Sequence, residues 1–251
     1  MVANPADKTV FEWNMEGVAC LQRGQYSDAI ANFRTAMAGL RMVAQDAGGF
    51  RLHGRTGYGS QANNPFPEDV SIVSVSVVRE DVEAYETVQN DLDTTLIRMF
   101  GNAFTTVFTN YQGVRGMQLT ISFVLYNLAV CVHHRELSKV TQGEAMNPEN
   151  LRKALHLYTR SLRAISAALG DGRMEDVIVL LMAIYNNMGN LYSYFGSPDD
   201  LKLCLLWIRS LLATYQQYVQ PQRHTLASDV PFFQLNVVSV PDTVFHKAAA
   251  A

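Results

Sequence analysis

The sequence predicts a mainly α-helical protein built from helical hairpins, with a small antiparallel β-element inserted among them. Small and aromatic residues recur at helical intervals from Phe11 to Leu40, and looser versions of this spacing return near Leu125 and near Tyr185. Between the first two helical regions, the stretch Val70–Val78 is rich in β-branched residues and alternates Val with Ser. About three imperfect hairpins and one β-insertion account for these patterns.

The first helical region carries the most regular pattern. Two short helices with a tight turn near Gly24 explain the recurrence of small residues, which allow antiparallel helices to approach closely. The region resembles a tetratricopeptide (TPR) repeat, and the matching residues lie in register: Trp13, Gly17, Gly24, Tyr26, Ala29, Phe33 and Ala36. It departs from the family pattern at Glu16, where Leu is usual, and at Arg41, where Pro often closes the repeat.

Two further hairpins resemble the same repeat more loosely. The corresponding positions Gly17, Ala129 and Gly189 lie much further apart than the family's roughly 34-residue period, so the repeats carry insertions. We therefore expect a single TPR-like domain over 1–251, divided into a first hairpin (9–45), an insertion (46–116), a second hairpin (117–168), a third hairpin (172–219) and a C-terminal extension (220–251).

Three segments are candidates for the β-element. Val70–Val78 is predicted to be a strand, with its valines on the half-buried face. Leu96–Phe108 fits either a helix or a strand, and we favour a strand that pairs with the first. Phe232–Val238 is a candidate for a third strand, and it would need partner strands because isolated strands are unstable. The Gly-rich stretch Gly48–Pro67 is predicted to be a flexible loop.

Composition argues against several classes of partner. The formal net charge is -3 and the pI about 6.1, so no strong field attracts nucleic acid or anionic lipid. Polar residues interrupt the apolar runs before they reach the length of a membrane span, and the N-terminus lacks a signal-like apolar region. Cys20, Cys131 and Cys204 have no short spacing and are expected to be buried, reduced thiols. We expect an intracellular, cytoplasmic protein without membrane insertion.

No pattern of catalytic, cofactor-binding or metal-binding residues is recognisable. His133 and His134 are adjacent, so on a helix their side chains point in different directions. The stretch Gly54–Ser60 lacks the Gly-Lys-Ser/Thr of a phosphate-binding loop. The acidic residues between Glu80 and Asp93 lack the spacing of a calcium loop. A non-enzymatic protein is therefore expected, with no cofactor and no metal.

The resemblance to the repeat family implies a groove lined by the first helix of each hairpin. Asn side chains both donate and accept hydrogen bonds, so a row of them suits the backbone of an extended peptide. The sequence does not decide whether the groove is open or filled by the chain's own insertion. The positions that match the groove are Asn14, Tyr126, Asn127, Val130, His133, Asn186, Asn187 and Asn190.

These features favour an interaction module that binds a protein or peptide through the groove or the β-element. It would act either as an adaptor or as a fixed subunit of a larger complex. The alternative is an enzyme or small-ligand-binding protein with a pocket between the β-element and the helices, in which His53, His133 or His134 takes part.

Overall fold

The computed structural model describes residues 8–46, 71–77, 97–107, 114–169, 177–218 and 226–238. Over these ranges the chain is mainly helical, and two strands form a small antiparallel sheet, as the sequence predicts. In chain order the elements are α1 (Val10–Gln22), α2 (Tyr26–Asp46), β1 (Ser71–Ser76), β2 (Asn102–Val107), α3 (Val114–Thr141), α4 (Pro148–Leu169), α5 (Ile178–Tyr194), α6 (Pro198–Tyr218), a 3-10 turn (Ala227–Asp229) and α7 (Val230–Val238).

The first six helices pack in consecutive pairs, α1 with α2, α3 with α4, and α5 with α6. The first helix of each pair ends at a glycine with positive φ, a conformation that L side chains rarely adopt; Gly24 has φ 72°. The Gly24 N–H donates to Leu21 O and the Gln25 N–H donates to Cys20 O, both at 2.9 Å. The same two bonds recur at Gly143 and at Gly196. All three helix pairs therefore close through one type of turn.

Close contact between α1 and α2 depends on Gly17. A Cβ atom at this position would lie 2.5 Å from Cε1 of Phe33, whose side chain is fully buried. The sequence pattern places small residues where helices approach, and this contact is the physical reason. At the start of α1, the Thr9 side chain accepts from the Glu12 N–H and Glu12 accepts from the Thr9 N–H, which forms a capping box.

Helix α3 is the central helix of the core. It packs against α2, α4 and β2. The part from Gly116 to Thr141 is long and apolar enough to cross a membrane, but 83% of its apolar window is buried inside the protein. That degree of burial is what the core helix of a soluble protein shows.

The two strands pair in antiparallel register, from Ser71 opposite Val107 to Ser76 opposite Asn102. This confirms the predicted first strand and the strand reading of the 96–108 region. The predicted valine face is wrong at one position, because Ile72 is 6% exposed whereas Val73 is 42% exposed. The pairing register turns Ile72 toward the core.

The prediction of a third strand at Phe232–Val238 is wrong, since these residues belong to α7. A helix puts Phe233 and Asn236, three residues apart, on one face, and both are buried. Pro231 lies in the first turn, where a missing backbone N–H is tolerated. Contacts with the rest of the fold override the local preference of aromatic and β-branched residues for strands.

All three cysteines are buried and free, so their predicted burial is confirmed. Burial raises the pKa of Cys131 and of Cys204 to about 12, which keeps both thiols protonated at neutral pH. The predicted loop Gly48–Pro67, with His53 and Gly54–Ser60, lies outside the described residues, as does the acidic stretch from Glu80 to Asp93.

Replacement of Gly17 by Ala tests the α1–α2 contact. The added methyl group must displace the buried Phe33 ring, and overpacking of this kind costs about 1–3 kcal/mol, against a gain of up to about 1 kcal/mol in helix propensity. We expect a lower midpoint of thermal unfolding, measured by circular dichroism. Gly116→Ala is the matched control, because nothing lies within 4 Å of a Cβ there. An unchanged midpoint for Gly17→Ala would contradict the contact.

A candidate peptide groove filled by the chain itself

The groove is formed by α1, α3 and α5, and it is occupied by residues 97–105, here called the inserted segment. This segment includes the first four residues of β2, and its backbone is hydrogen-bonded to side chains of the three helices. The chain thus fills its own groove with an extended stretch of backbone. The bonds fall into three groups along the segment.

Asn127 of α3 holds the backbone of Phe104 through both of its groups. The Phe104 N–H donates to Asn127 Oδ1 at 2.8 Å, and Asn127 Nδ2 donates to Phe104 O at 2.7 Å. Asn14 of α1 also donates to Phe104 O, at 3.4 Å, and its own Oδ1 accepts from Asn127 Nδ2 at 3.0 Å. The two asparagines therefore form one connected unit across two helices.

Asn187 of α5 repeats this arrangement four residues earlier in the segment. The Phe100 N–H donates to Asn187 Oδ1 at 2.7 Å, and Asn187 Nδ2 donates to Phe100 O at 3.1 Å. The Tyr126 and Tyr158 hydroxyls lie 3.3 and 3.2 Å from Asn187 Nδ2. Tyr126 in turn donates to Asn102 O at 3.1 Å. Burial raises the pKa of both tyrosines well above the ordinary range, so both hydroxyls stay protonated donors.

The start of the segment is held by three more asparagines. Asn186 donates to Arg98 O at 2.8 Å, and Asn190 donates to Ile97 O. Asn236 of α7 reaches the segment from the C-terminal side, where it donates to Arg98 O at 2.9 Å and to Asn186 Oδ1 at 2.7 Å. Helix α7 therefore closes the groove over the segment.

The hydrogen bonds between asparagine side chains and the backbone of the inserted segment follow from the geometry of an extended chain. The N–H and C=O groups of alternate residues point to opposite edges, and one edge of β2 is taken by β1. The other edge is buried among helices, which have no free backbone groups in mid-helix to offer. An unpaired buried backbone group costs about 1–3 kcal/mol. Asparagine supplies a donor and an acceptor on a short, uncharged side chain, and so replaces the missing strand.

Aromatic packing fixes the side chains of the segment. The centroid of the Phe100 ring lies 4.7 Å from the ring centroid of Phe233 and 5.3 Å from that of Phe232, both on α7. The Phe104 ring lies 5.1 Å from that of Tyr126. Rings at these separations contribute attraction beyond their apolar burial. Backbone bonds and aromatic packing therefore act at the same two residues.

A second polar cluster ties the C-terminal elements to the sheet. Asn102 Nδ2 donates to Ser74 Oγ at 2.8 Å and to Asp229 Oδ1 at 3.1 Å. Asp229 is 9% exposed, and burial raises the pKa of its carboxyl group above the ordinary value. This cluster joins β1, β2 and the turn before α7.

All eight predicted groove residues are buried. Six of them bond to the backbone of the inserted segment, namely Asn14, Tyr126, Asn127, Asn186, Asn187 and Asn190. The other two, Val130 and His133, lie in the core on α3. Asn236 and Asp229 are not among the predicted residues, because the predicted strand at 232–238 hid the helical spacing that aims Asn236 inward.

The two adjacent histidines point to different neighbours. His133 Nδ1 lies 3.4 Å from the Tyr158 hydroxyl, and His134 Nδ1 lies 2.8 Å from the Tyr26 hydroxyl. Glu136 does not join them, since its carboxylate accepts from Lys139 and Asn150. Among the described residues no three His, Cys, Asp or Glu side chains are placed to hold a metal ion.

The chemistry of the site is therefore that of neutral amide and hydroxyl groups around a peptide backbone. Such groups bind and orient a backbone. In this arrangement of the described residues, no hydroxyl group of the site is paired with a general base that would activate it as a nucleophile. No family model, curated protein or solved structure matches the chain. The interpretation of this groove rests on its own geometry.

Replacing Asn187 with Leu should destabilise the fold at one defined point. The change leaves the buried N–H and C=O of Phe100 unpaired, at about 1–3 kcal/mol each. We expect the free energy of unfolding in urea to fall by at least ~2 kcal/mol. Hydrogen exchange of the Phe100 backbone amide should become fast. The Phe104 backbone amide, which bonds to Asn127, should stay protected from exchange. The exposed amide replacement Gln217→Ala is the control. A Phe100 amide that remained protected would contradict the assignment.

The pH dependence of stability should report the buried histidine. Burial, with a smaller effect of His134, lowers the pKa of His133 from 6.5 to about 3, and Asn190 opposes the shift. Above pH ~6.5 the ring is neutral in both states, and below it the unfolded chain binds the proton first. Stability should therefore fall as the pH drops from ~6.5 toward ~3, by up to ~1.4 kcal/mol per pH unit for this group.

His133→Phe removes that contribution. Burial also lowers the pKa of His134, which adds a slope of the same sign in both proteins. The difference in unfolding free energy between wild type and variant should hence change with pH below ~6.5 and be constant above it. A difference that is independent of pH across this range would show that His133 is protonated in the folded state.

Proposed function

We propose that this chain is a non-enzymatic, TPR-like interaction module that works as a fixed subunit of a larger assembly. The filled groove carries the proposal. The asparagines that would bind a partner's extended peptide already bind Phe104, Phe100 and Arg98 of the same chain. An open peptide clamp needs those groups free, so a partner is expected to contact the outer faces of the helices.

Recurrent local geometry supports the repeat character. The three helix pairs end their first helices with the same glycine turn, at Gly24, Gly143 and Gly196. The positions equivalent to Gly17 also lack room for a larger side chain. Ala129 is fully buried, and a Cβ at Gly189 would lie 3.2 Å from Ile97 Cδ1. Gly17 and Gly189 both face the second helix of their own hairpin, at Phe33 and at Cys204.

The outer face of α6 is the surface that best fits a partner. Leu206 and Trp207 lie three and four residues after Leu203, and the three side chains are 44%, 46% and 53% exposed, respectively. The Trp207 ring stacks on Tyr185 with an interplanar angle of 11°. Single exposed apolar residues are common on soluble proteins, but a contiguous stripe with an exposed Trp is typical of an interface. We call these three residues the α6 stripe.

Affinity purification of the tagged chain from its native cell tests this function. At moderate salt we expect a partner in stoichiometric amount, identified by mass spectrometry and retained in size-exclusion chromatography. The double replacement Leu206→Ser and Trp207→Ser should lose that partner, because it removes the central anchors of the stripe. Met15→Ser is the matched control, since Met15 is 55% exposed but stands away from the stripe on α1.

Two outcomes would count against the proposal. Recovery of the wild-type chain as a free monomer would contradict the role of a subunit. Retention of the partner by the double variant would leave a subunit but exclude the α6 stripe as its interface.

A further inference from the structure

The outer face of helix α4 carries a run of basic side chains. Between residues 152 and 163 its exposed side chains are all basic or histidine: Arg152, Lys153, His156, Arg160 and Arg163. The helix holds four Lys and Arg residues against one acidic residue, Glu149, although the whole chain has a net charge of -3. At 1.5 Å per residue, this basic stripe is about 16 Å long.

The neighbouring outer helices do not share this character. The exposed charges of α2 include Asp28 beside Arg34 and Arg41, and those of α6 include Asp199 and Asp200 beside Arg209. Mixed signs are what a face that only meets water usually shows. The basic stripe is therefore a local feature of α4 and not a property of the whole outer surface.

Like charges one turn apart weaken a helix. Arg160 and Arg163 are three residues apart on this helix. Each like-charge pair at this spacing destabilises a helix by about 0.2–0.5 kcal/mol. An external anion at the stripe would turn that repulsion into attraction.

Part of the stripe is paired within the chain and part is not. Arg152 lies 3.6 Å from Glu149 and stacks over the Phe195 ring at 5.7 Å, and Lys153 bonds to Asn150. Among the described residues no carboxylate lies within 4.0 Å of Arg160 or Arg163. These two guanidinium groups are exposed and available to a ligand.

We propose that the basic stripe of α4 binds a short acidic segment of a partner protein. This deepens the proposed function, on which it rests, by naming the chemistry of one contact. Arginine forks match carboxylates in geometry and charge, and cations about 6 Å apart match carboxylates placed one helical turn apart. The five side chains of the stripe lie within about 100° of the helix circumference, a width that a single peptide segment can cover.

Two features favour a peptide over the larger polyanions. Among the described residues, the aromatic ring that a stripe residue contacts is Phe195, which Arg152 already covers, and the exposed residues of the stripe include no large apolar side chain that could enter a lipid headgroup region. The chain outside α4 is net negative, so a duplex or a membrane, which faces much more than the stripe, meets repulsion. A short segment stays within about 8 Å of the stripe, the screening length at physiological salt.

The test uses the full chain and a fluorescein-labelled peptide of about 12 residues, long enough as a helix to span the stripe, made of Glu and Ala. Fluorescence anisotropy measures its binding, first at ~20 mM salt and then at increasing concentrations. We expect binding that weakens with salt. Arg160→Glu with Arg163→Glu should weaken it by at least about tenfold, since two attractive contacts become repulsive.

Arg34→Glu with Arg41→Glu is the matched control, because it makes the same change in net charge on another outer helix. This control should bind the peptide as wild type does. The midpoint of thermal unfolding verifies that both variants fold, and Arg160→Gln with Arg163→Gln replaces the reversal if it does not fold.

Three outcomes would overturn the inference. One is absence of peptide binding at low salt. Another is an equal loss of peptide affinity in the α4 and α2 variants, which would show non-specific electrostatic attraction without a defined site. The third is tighter, α4-dependent binding of duplex DNA or of phosphatidylserine vesicles, which assigns the stripe to a different polyanion. The peptide assay uses no native partner, so its failure is distinguishable from loss of the assembly through the α6 stripe.

Discussion

The fold depends on satisfying the backbone of one extended segment inside a helical protein. Within the described part of the chain, strand β2 pairs with a strand along one edge, and the backbone of its other edge bonds to side chains of α1 and α3. Helices bond their own backbone, so they can meet a strand edge only with side chains. Asn127 and Asn187 do so at Phe104 and Phe100, each with a donor and an acceptor. Without these amides, burial of the segment would leave several polar groups unpaired.

Much of the helical architecture and most of the groove could be predicted from the sequence. The spacing of small residues around Gly17 and the turn at Gly24 are local signals, and the structure confirms the contact and the turn that they predict. The row of asparagines was likewise predictable, because Asn is unfavourable within a helix unless its side chain has a specific partner. Their partner was not predictable. Nothing local states that residues far along the same chain fill the groove.

One segment that the sequence leaves open and one that it predicts wrongly have a common physical origin. In Leu96–Phe108 the apolar residues fit both a helix and a strand, and only pairing with β1 decides between them. In Phe232–Val238 the local preference indicates a strand, yet Phe233 must meet Phe100 and Asn236 must meet Arg98 from one face. Both outcomes are set by contacts distant in sequence. The outer surface depends less on distant contacts. Once the exposed faces of α4 and α6 are known, the charge and hydropathy of those faces follow directly from the sequence.

The position of the inserted segment in the chain bears on the order in which the protein can assemble. Its bonds join residues separated by 90 positions at Asn14, 93 at Asn190 and 138 at Asn236. A ribosome releases the segment before α3, α5 and α7, so at that moment Asn14 of α1 is the only asparagine of the groove already synthesised. Such long-range closure slows folding and exposes unpaired strand edges for longer. The full groove forms only once α7 has been translated, because Asn236 of that helix completes the hydrogen bonds to Arg98 and Asn186.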